Sequence, residues 1–132
     1  MCVASLTPVT GHEDLIYDLA HVADLTGWSC HFVGGIAQNP AHVARLRALI
    51  DEYELVDRVT IHGPLADDAL DEAYTAVDLL VLPSYAESFG LVVQEPLSRT
   101  IPVMASDVGS VPEAIGSTPA GERPGLPIPR VR

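Results

Sequence analysis

The sequence predicts an α/β domain, with a parallel sheet of about five to six strands and helices on both of its faces. Three observations carry this. Short continuous apolar runs alternate along the chain with stretches of helical period, the pattern of strands joined by crossover helices. The run Leu79 to Leu82 is apolar at every position, as a strand covered on both faces requires. Finally, 132 residues, 48% hydrophobic and 19% charged, suffice for one sizeable core, since a domain of this size buries roughly 65–70% of its unfolded surface.

Met1 to Leu6 reads as the first strand. Leu15, Leu19 and Val22 then share one face of a helix that stops at Gly27, a residue suited to the position just past a helix end. Trp28 to Val33 is a second strand, followed by the Gly34-Gly35 turn. Asn39 and Pro40 start the next helix, because Asn caps and Pro fits a first turn that needs no amide donor. Val43, Leu46, Ile50 and Tyr53 form its buried stripe. Arg58 to His62 is a third strand, Asp67 to Val77 a third helix buried through Leu70, Ala73 and Val77, and Leu79 to Leu82 the fourth strand. A helix from about Gly90 to Arg99 and a strand from Ile101 to Ser106 complete the regular part, so residues 1–116 form the domain. Four of the eleven prolines and two of the ten glycines fall between Ser117 and Arg132, which reads as an irregular tail.

Eighteen acidic residues face seven arginines and no lysine, a net charge of −11 that repels nucleic acid and anionic lipid. No apolar run approaches the roughly 18 residues of a membrane span, and no signal segment opens the chain. A cytoplasmic protein is expected. Cys2 and Cys30 have no CxxC partner and fall in strands, so both read as buried free thiols. Phosphate loops of the Walker type need a lysine; GxGxxG, HExxH and GxSxG are also missing. The histidines at 12, 21, 31, 42 and 62 show no metal-ligand spacing, and no metal site is expected.

What remains is the stretch from Leu79 to Glu113. A buried strand runs into the loop Pro83-Ser84-Tyr85-Ala86-Glu87-Ser88-Phe89 and then into a helix near Gly90. In open α/β sheets ligands bind at the carboxyl ends of strands, so the loop is well placed for a site. The amides of Phe89, Gly90 and Leu91 at the helix start can cradle a phosphate without any lysine. Glu87 and Glu95 flank that cradle. Helical side chains lean toward the N-terminus, so the Glu95 carboxylate can point at the space Glu87 borders. Two carboxylates beside a phosphate cradle suit the paired hydroxyls of a sugar or ribose. Spacing alone leaves open that Glu87 is a loop charge and Glu95 a solvated helix residue.

The residues resemble those of a known family at this point. PS…ESFGLVVQE, with seven residues between its glutamates, resembles the donor site of the retaining GT-B glycosyltransferases, the glycosyl transferases group 1 family. VASLTPVTGHEDL resembles the family's first strand and loop, and DRVTIHGPL its base-proximal strand. The resemblance implies a Rossmann-like donor domain, one half of a GT-B architecture, that binds a nucleoside diphosphate sugar. It further implies that Glu87 contacts the transferred sugar, Glu95 the ribose, and Ser88 to Leu91 the diphosphate. Gly63 and Pro64 would border the base. Transfer in the family is metal-independent and retains configuration, with the leaving phosphate taking the acceptor's proton, so no cofactor and no protein nucleophile are implied.

Several positions depart from the family pattern. Ser5 and Thr10 stand where an Arg and a Lys normally stabilise the diphosphate, and losing one preorganised donor costs on the order of 2.7–4 kcal/mol in a barrier. Thr100 and Ser110 replace usual glycines, so a positive φ at either would strain its loop. Pro96 removes the amide that would bond to Val92, which predicts a short or kinked helix. Arg99, the only basic residue near the motif, is expected to serve the helix dipole. One domain and no final crossover helix supply only half of the two-domain enzyme. The expected function is therefore that of a glycosyltransferase donor-binding domain, inactive as this isolated chain. The alternative is a non-catalytic binding or interaction module that has lost the basic residues. The expected partners are the nucleotide sugar and either an acceptor domain or a second copy covering exposed apolar surface.

Overall fold

The computed structural model describes residues 1–87, 91–117 and 119–129. Its elements follow the order β1 (Cys2–Val3), a 3-10 turn (Pro8–Thr10), α1 (His12–His21), β2 (Cys30–Val33), α2 (Pro40–Glu52), β3 (Val59–Gly63), α3 (Asp67–Ala76), β4 (Leu80–Leu82), α4 (Leu91–Ser98), β5 (Val103–Ser106), α5 (Val111–Ile115) and β6 (Gly125–Ile128). All strand pairs are parallel.

The sheet differs in form from the expectation. There are two three-stranded sheets, ordered β1-β2-β3 and β4-β5-β6, rather than one sheet of five to six strands. They abut along β1 and β4, where the Val81 amide donates to the Met1 carbonyl and the terminal ammonium to the Leu79 carbonyl, both at 2.8 Å. β1 is only two residues long, too short to extend that contact into a ladder. The loop after it has turned into backbone bonds of its own by Thr7, whose amide donates to Ser5.

Two apolar clusters lie against the strands. Cys2, Cys30, Phe32 and Val59 pack with Leu15 and Ile16 of α1 and Leu46, Leu49 and Ile50 of α2. Val33, Leu80, Leu82, Val103 and Ala105 pack with Tyr74 of α3, Val93 of α4 and Val111 and Ile115 of α5. β2 divides its side chains between the clusters: Phe32 goes to the first and its neighbour Val33 to the second. β4 divides in the same way, with Val81 against the first cluster. Alternating side chains therefore explain why β4 is apolar throughout and why His31 alone interrupts β2. Both cysteines are buried and free.

The start of α2 forms as its residues dictate, with the Asn39 side-chain oxygen accepting from the His42 amide at 3.0 Å and Pro40 in the first turn. Tyr53 is the exception on that helix. It is the C-cap, 39% exposed, and meets the ring of Tyr17 edge-on at 5.6 Å instead of entering the core. The tail also departs from the expectation, because Gly125–Ile128 pairs with β5 as an edge strand. Its pattern of three prolines and one glycine within Pro124 to Pro129 masks that strand; an edge tolerates Pro because one side of it needs no amide donor. α4 is short, eight residues with Pro96 inside, as loss of the Pro96 amide predicts. Among the described residues no helix is long and apolar enough to cross a membrane.

Candidate functional site

Three loops meet at the carboxyl ends of β1, β4 and β5. The β1–α1 loop touches the β4–α4 loop through a bond from the Tyr85 amide to the Val9 carbonyl at 2.8 Å. Gly11 makes that approach possible: its φ is +76°, and a Cβ there would lie 1.9 Å from the Pro83 carbonyl oxygen. The β5–α5 loop touches the same segment from the other side, where the Ser110 amide donates to the Glu87 carbonyl at 3.3 Å. At Gly109, φ is +52° and a Cβ would lie 1.7 Å from that carbonyl oxygen. Both glycines are therefore backbone-contact positions that no other residue fits. The Tyr85 hydroxyl also donates to Asp14 of α1, a buried carboxylate.

Glu87 is half-buried in the loop that these contacts hold, and Glu95 lies on the second turn of α4. The Glu95 side chain is 51% exposed and its Oε1 accepts from Arg99 Nε at 2.8 Å. Arg99 also pairs with Asp71 of α3 and lies 4.9 Å above the Tyr74 ring. Arg99 stands directly after the C-terminus of α4, and its guanidinium bonds the side chains of Glu95 and Asp71. Ser88, Phe89 and Gly90 lie outside the described residues. Leu91 is described as the first residue of α4.

Thr10 is turned inward. Its Oγ1 lies 2.7 Å from the Ser5 carbonyl, 2.8 Å from the Thr7 carbonyl and 2.9 Å from His12 Nδ1. His12 is fully buried, and its Nε2 faces Cys2 Sγ at 3.4 Å. One set of protons satisfies the chain: the thiol donates to Nε2, Nδ1 donates to Thr10, and the threonine donates to a loop carbonyl. Burial, and to a lesser extent His42, lowers the His12 pKa to about 4, so the ring is neutral. Burial likewise pushes the Cys2 thiol far above its ordinary value, so it is no nucleophile. Ser5 lends its carbonyl to the same network. Spacing gave no sign of this arrangement beyond Thr10 and His12 standing two apart.

Gly63 ends β3 with φ +73°, and its carbonyl accepts from Gly34 at 3.0 Å. Pro64 follows, exposed. Of the two replaced glycines, Thr100 does sit in the left-handed region at φ +59°, whereas Ser110 at −91° does not. A groove of about 580 Å³ opens elsewhere, between α1 and α3, lined by Leu15, Leu19, Trp28, Ala73 and Val77 and by no described residue of the β4–α4 loop. Among the described residues no three metal-binding side chains cluster.

A Rossmann-like α/β unit whose loops converge at the carboxyl ends of its strands defines a ligand-binding class of protein. The chain belongs to the glycosyl transferases group 1 family, whose sequence signature matches residues 1–122. The D-inositol 3-phosphate glycosyltransferase of Mycolicibacterium smegmatis is 41% identical over 87 residues, 66% of this chain and 19% of that protein. The enzyme of the same name from Xylanimonas cellulosilytica is 38% identical over 79 residues, 60% of this chain and 19% of that protein. The chain thus matches about a fifth of the length of these curated relatives.

Solved GT-B structures agree. Sucrose-phosphate synthase from Thermosynechococcus elongatus superposes with a TM-score of 0.78 at 30% identity, covering 99% of this chain and 33% of that one. Anabaena HepE, in complex with UDP and glucose, superposes with a TM-score of 0.80 at 26% identity, covering 97% of this chain and 34% of that one.

Proposed function

We propose that this chain is the donor-binding domain of a retaining glycosyltransferase, and that alone it binds a nucleoside diphosphate sugar without transferring the sugar. One observation carries the reading: the loop with Glu87 and the helix with Glu95 leave the carboxyl end of β4, braced on both sides by glycine contacts to neighbouring loops. A carboxylate on the second turn of α4 is placed to accept from ribose hydroxyls. Glu87 takes the transferred sugar, the amides of 88–91 the diphosphate, and the Gly63-Pro64 turn borders the base. The complex of HepE with UDP and glucose supports this choice of ligand. We further infer that the abutting sheets act as one six-stranded sheet, which keeps the three loops in fixed relation.

In this reading the transfer needs no protein nucleophile and no metal; the departing diphosphate takes the acceptor's proton. The chain's own contribution is to bind and orient. Charge on the departing diphosphate is the weak point. Ser5 and Thr10 carry no charge, and the Thr10 hydroxyl is engaged within its own loop. That observation favours the second reading, a binding module that no longer catalyses. Acceptor binding falls to a further domain of the longer protein. Leu126 and Ile128, exposed on β6, are the apolar surface that domain or a second copy would cover.

Calorimetric titration with UDP, GDP and ADP tests the proposal. One nucleotide should bind, and Glu95→Ala should weaken it by about 1–3 kcal/mol, the worth of a charged hydrogen-bond partner. Transfer by the isolated chain would contradict the inactivity proposed. Binding unaffected by Glu95→Ala would contradict the site.

A further inference from the structure

We propose that Arg99 is the positioning residue for Glu95 and so sets how strongly this domain selects a ribose. The inference rests on the ribose role given to Glu95 above. Arg99 follows α4 directly, and its guanidinium is fixed at three places. Nε donates to Glu95 Oε1 at 2.8 Å, Nη2 pairs with Asp71 of α3, and the planar group lies 4.9 Å over the ring of Tyr74, itself only 4% exposed. The anchor is therefore α3, with a buried aromatic as its base.

Glu95 needs such an anchor. It is half-exposed on a two-turn helix interrupted by Pro96, where a lone glutamate would sample several rotamers. Holding it before the ligand arrives removes that ordering cost from binding. The geometry also leaves the carboxylate usable. Arg99 engages Oε1 alone, and an ionised carboxylate offers about four acceptor positions. The remaining ones can accept from a pair of vicinal hydroxyls. A lysine would not do the same, because only a guanidinium can bond two carboxylates in its plane while stacking on a ring.

The role is separable from a general charge effect on the diphosphate and from a structural one. The test titrates the intact chain and its Arg99→Ala, Arg99→Lys and Asp71→Asn variants with whichever of UDP, GDP or ADP it binds, and with the 2′,3′-dideoxy analogue. Thermal midpoints of each variant report the fold. Arg99→Ala should weaken the ribonucleotide about tenfold, as for loss of one well-made charged contact. It should leave the dideoxy analogue within about twofold. Arg99→Lys should recover only part of the preference, and Asp71→Asn should lose part. In a Glu95→Ala background Arg99→Ala should change neither affinity. Equal weakening of both nucleotides, or no weakening of either, would overturn the proposal while leaving the donor-site reading in place. Binding of no nucleotide by the unaltered chain at millimolar concentration would overturn the donor-site reading, and this proposal with it.

Discussion

Acidification should destabilise this domain chiefly through one buried ring, that of His12. His12 is fully buried between Cys2 and Thr10, with its edge on Phe32 at a centroid distance of 4.8 Å. Its pKa falls from 6.5 to about 4, first by burial and then by His42. A histidine that resists protonation only when folded leaves the native state with fewer protons than the unfolded one. The stability it permits is complete above pH 6.5 and is lost as pH falls toward 4. At about 1.4 kcal/mol per pH unit, the loss is about 2 kcal/mol at pH 5 and about 3 kcal/mol at pH 4. For a domain of marginal stability this is a large fraction of the total. Urea unfolding at pH 7, 6, 5 and 4.5, followed by circular dichroism, measures the slope. His12→Gln keeps a polar group in the network and has no charge to gain, so its stability should depend much less on pH in this range. His31, which meets His62 at 2.7 Å and is also lowered by burial and then by its partner, adds to the slope in the same direction. His31→Gln is therefore the comparison variant. Equal pH slopes for His12→Gln and the parent, with no loss of stability between pH 7 and 5, would refute the reasoning.

Other outcomes follow from the loops. Gly109→Ala sets a Cβ 1.7 Å from the Glu87 carbonyl oxygen in a left-handed backbone, so it should cost about 2 kcal/mol or more and weaken nucleotide binding with it. Melting and titration of one sample check both. Thr100→Gly relieves φ +59° at the end of α4 and should raise stability by about 0.5–1 kcal/mol in denaturant unfolding. Tyr85→Phe removes the hydroxyl that donates to Asp14; about 1 kcal/mol of stability should go with it. Sedimentation at high concentration should show self-association that Leu126→Glu abolishes, since Leu126 is 56% exposed on the edge strand. A monomer at every concentration would remove the second copy from the account.

The sheet was legible wherever a strand is buried on both faces. Leu80 to Leu82 is such a run, and so is Cys30 to Val33 apart from His31; each serves two clusters. The start of α2 was legible because Asn39 and Pro40 act through their own chemistry. β6 was hidden because Pro127 within it and the prolines that flank it are a breaker signal everywhere except at an edge. α5, with five residues, is too short to show a period. Tyr53 shows the opposite failure: the period continues through it, yet the helix ends there. For the site, the sequence singled out the two glutamates as candidates and carried no trace of what surrounds them. Asp71 and Tyr74 lie on α3 and Arg99 just past α4, with a strand between the two helices, and Cys2, Thr10 and His12 meet only when a loop closes over β1. Such contacts between segments leave no periodic trace in the sequence. That Ser5 and Thr10 carry no charge is visible by inspection, whereas the inward turn of the Thr10 hydroxyl is not.

The central claim is where a nucleotide sits, and amide chemical-shift mapping by NMR of the labelled chain during titration with UDP addresses it directly. The account predicts shifts confined to the carboxyl ends of the strands: Ala4 to Gly11, Gly63 to Leu65, Glu87 and Leu91 to Glu95, and Val108 to Ser110. Shifts centred instead on the groove between α1 and α3, around Leu19, Trp28 and Val77, would contradict it.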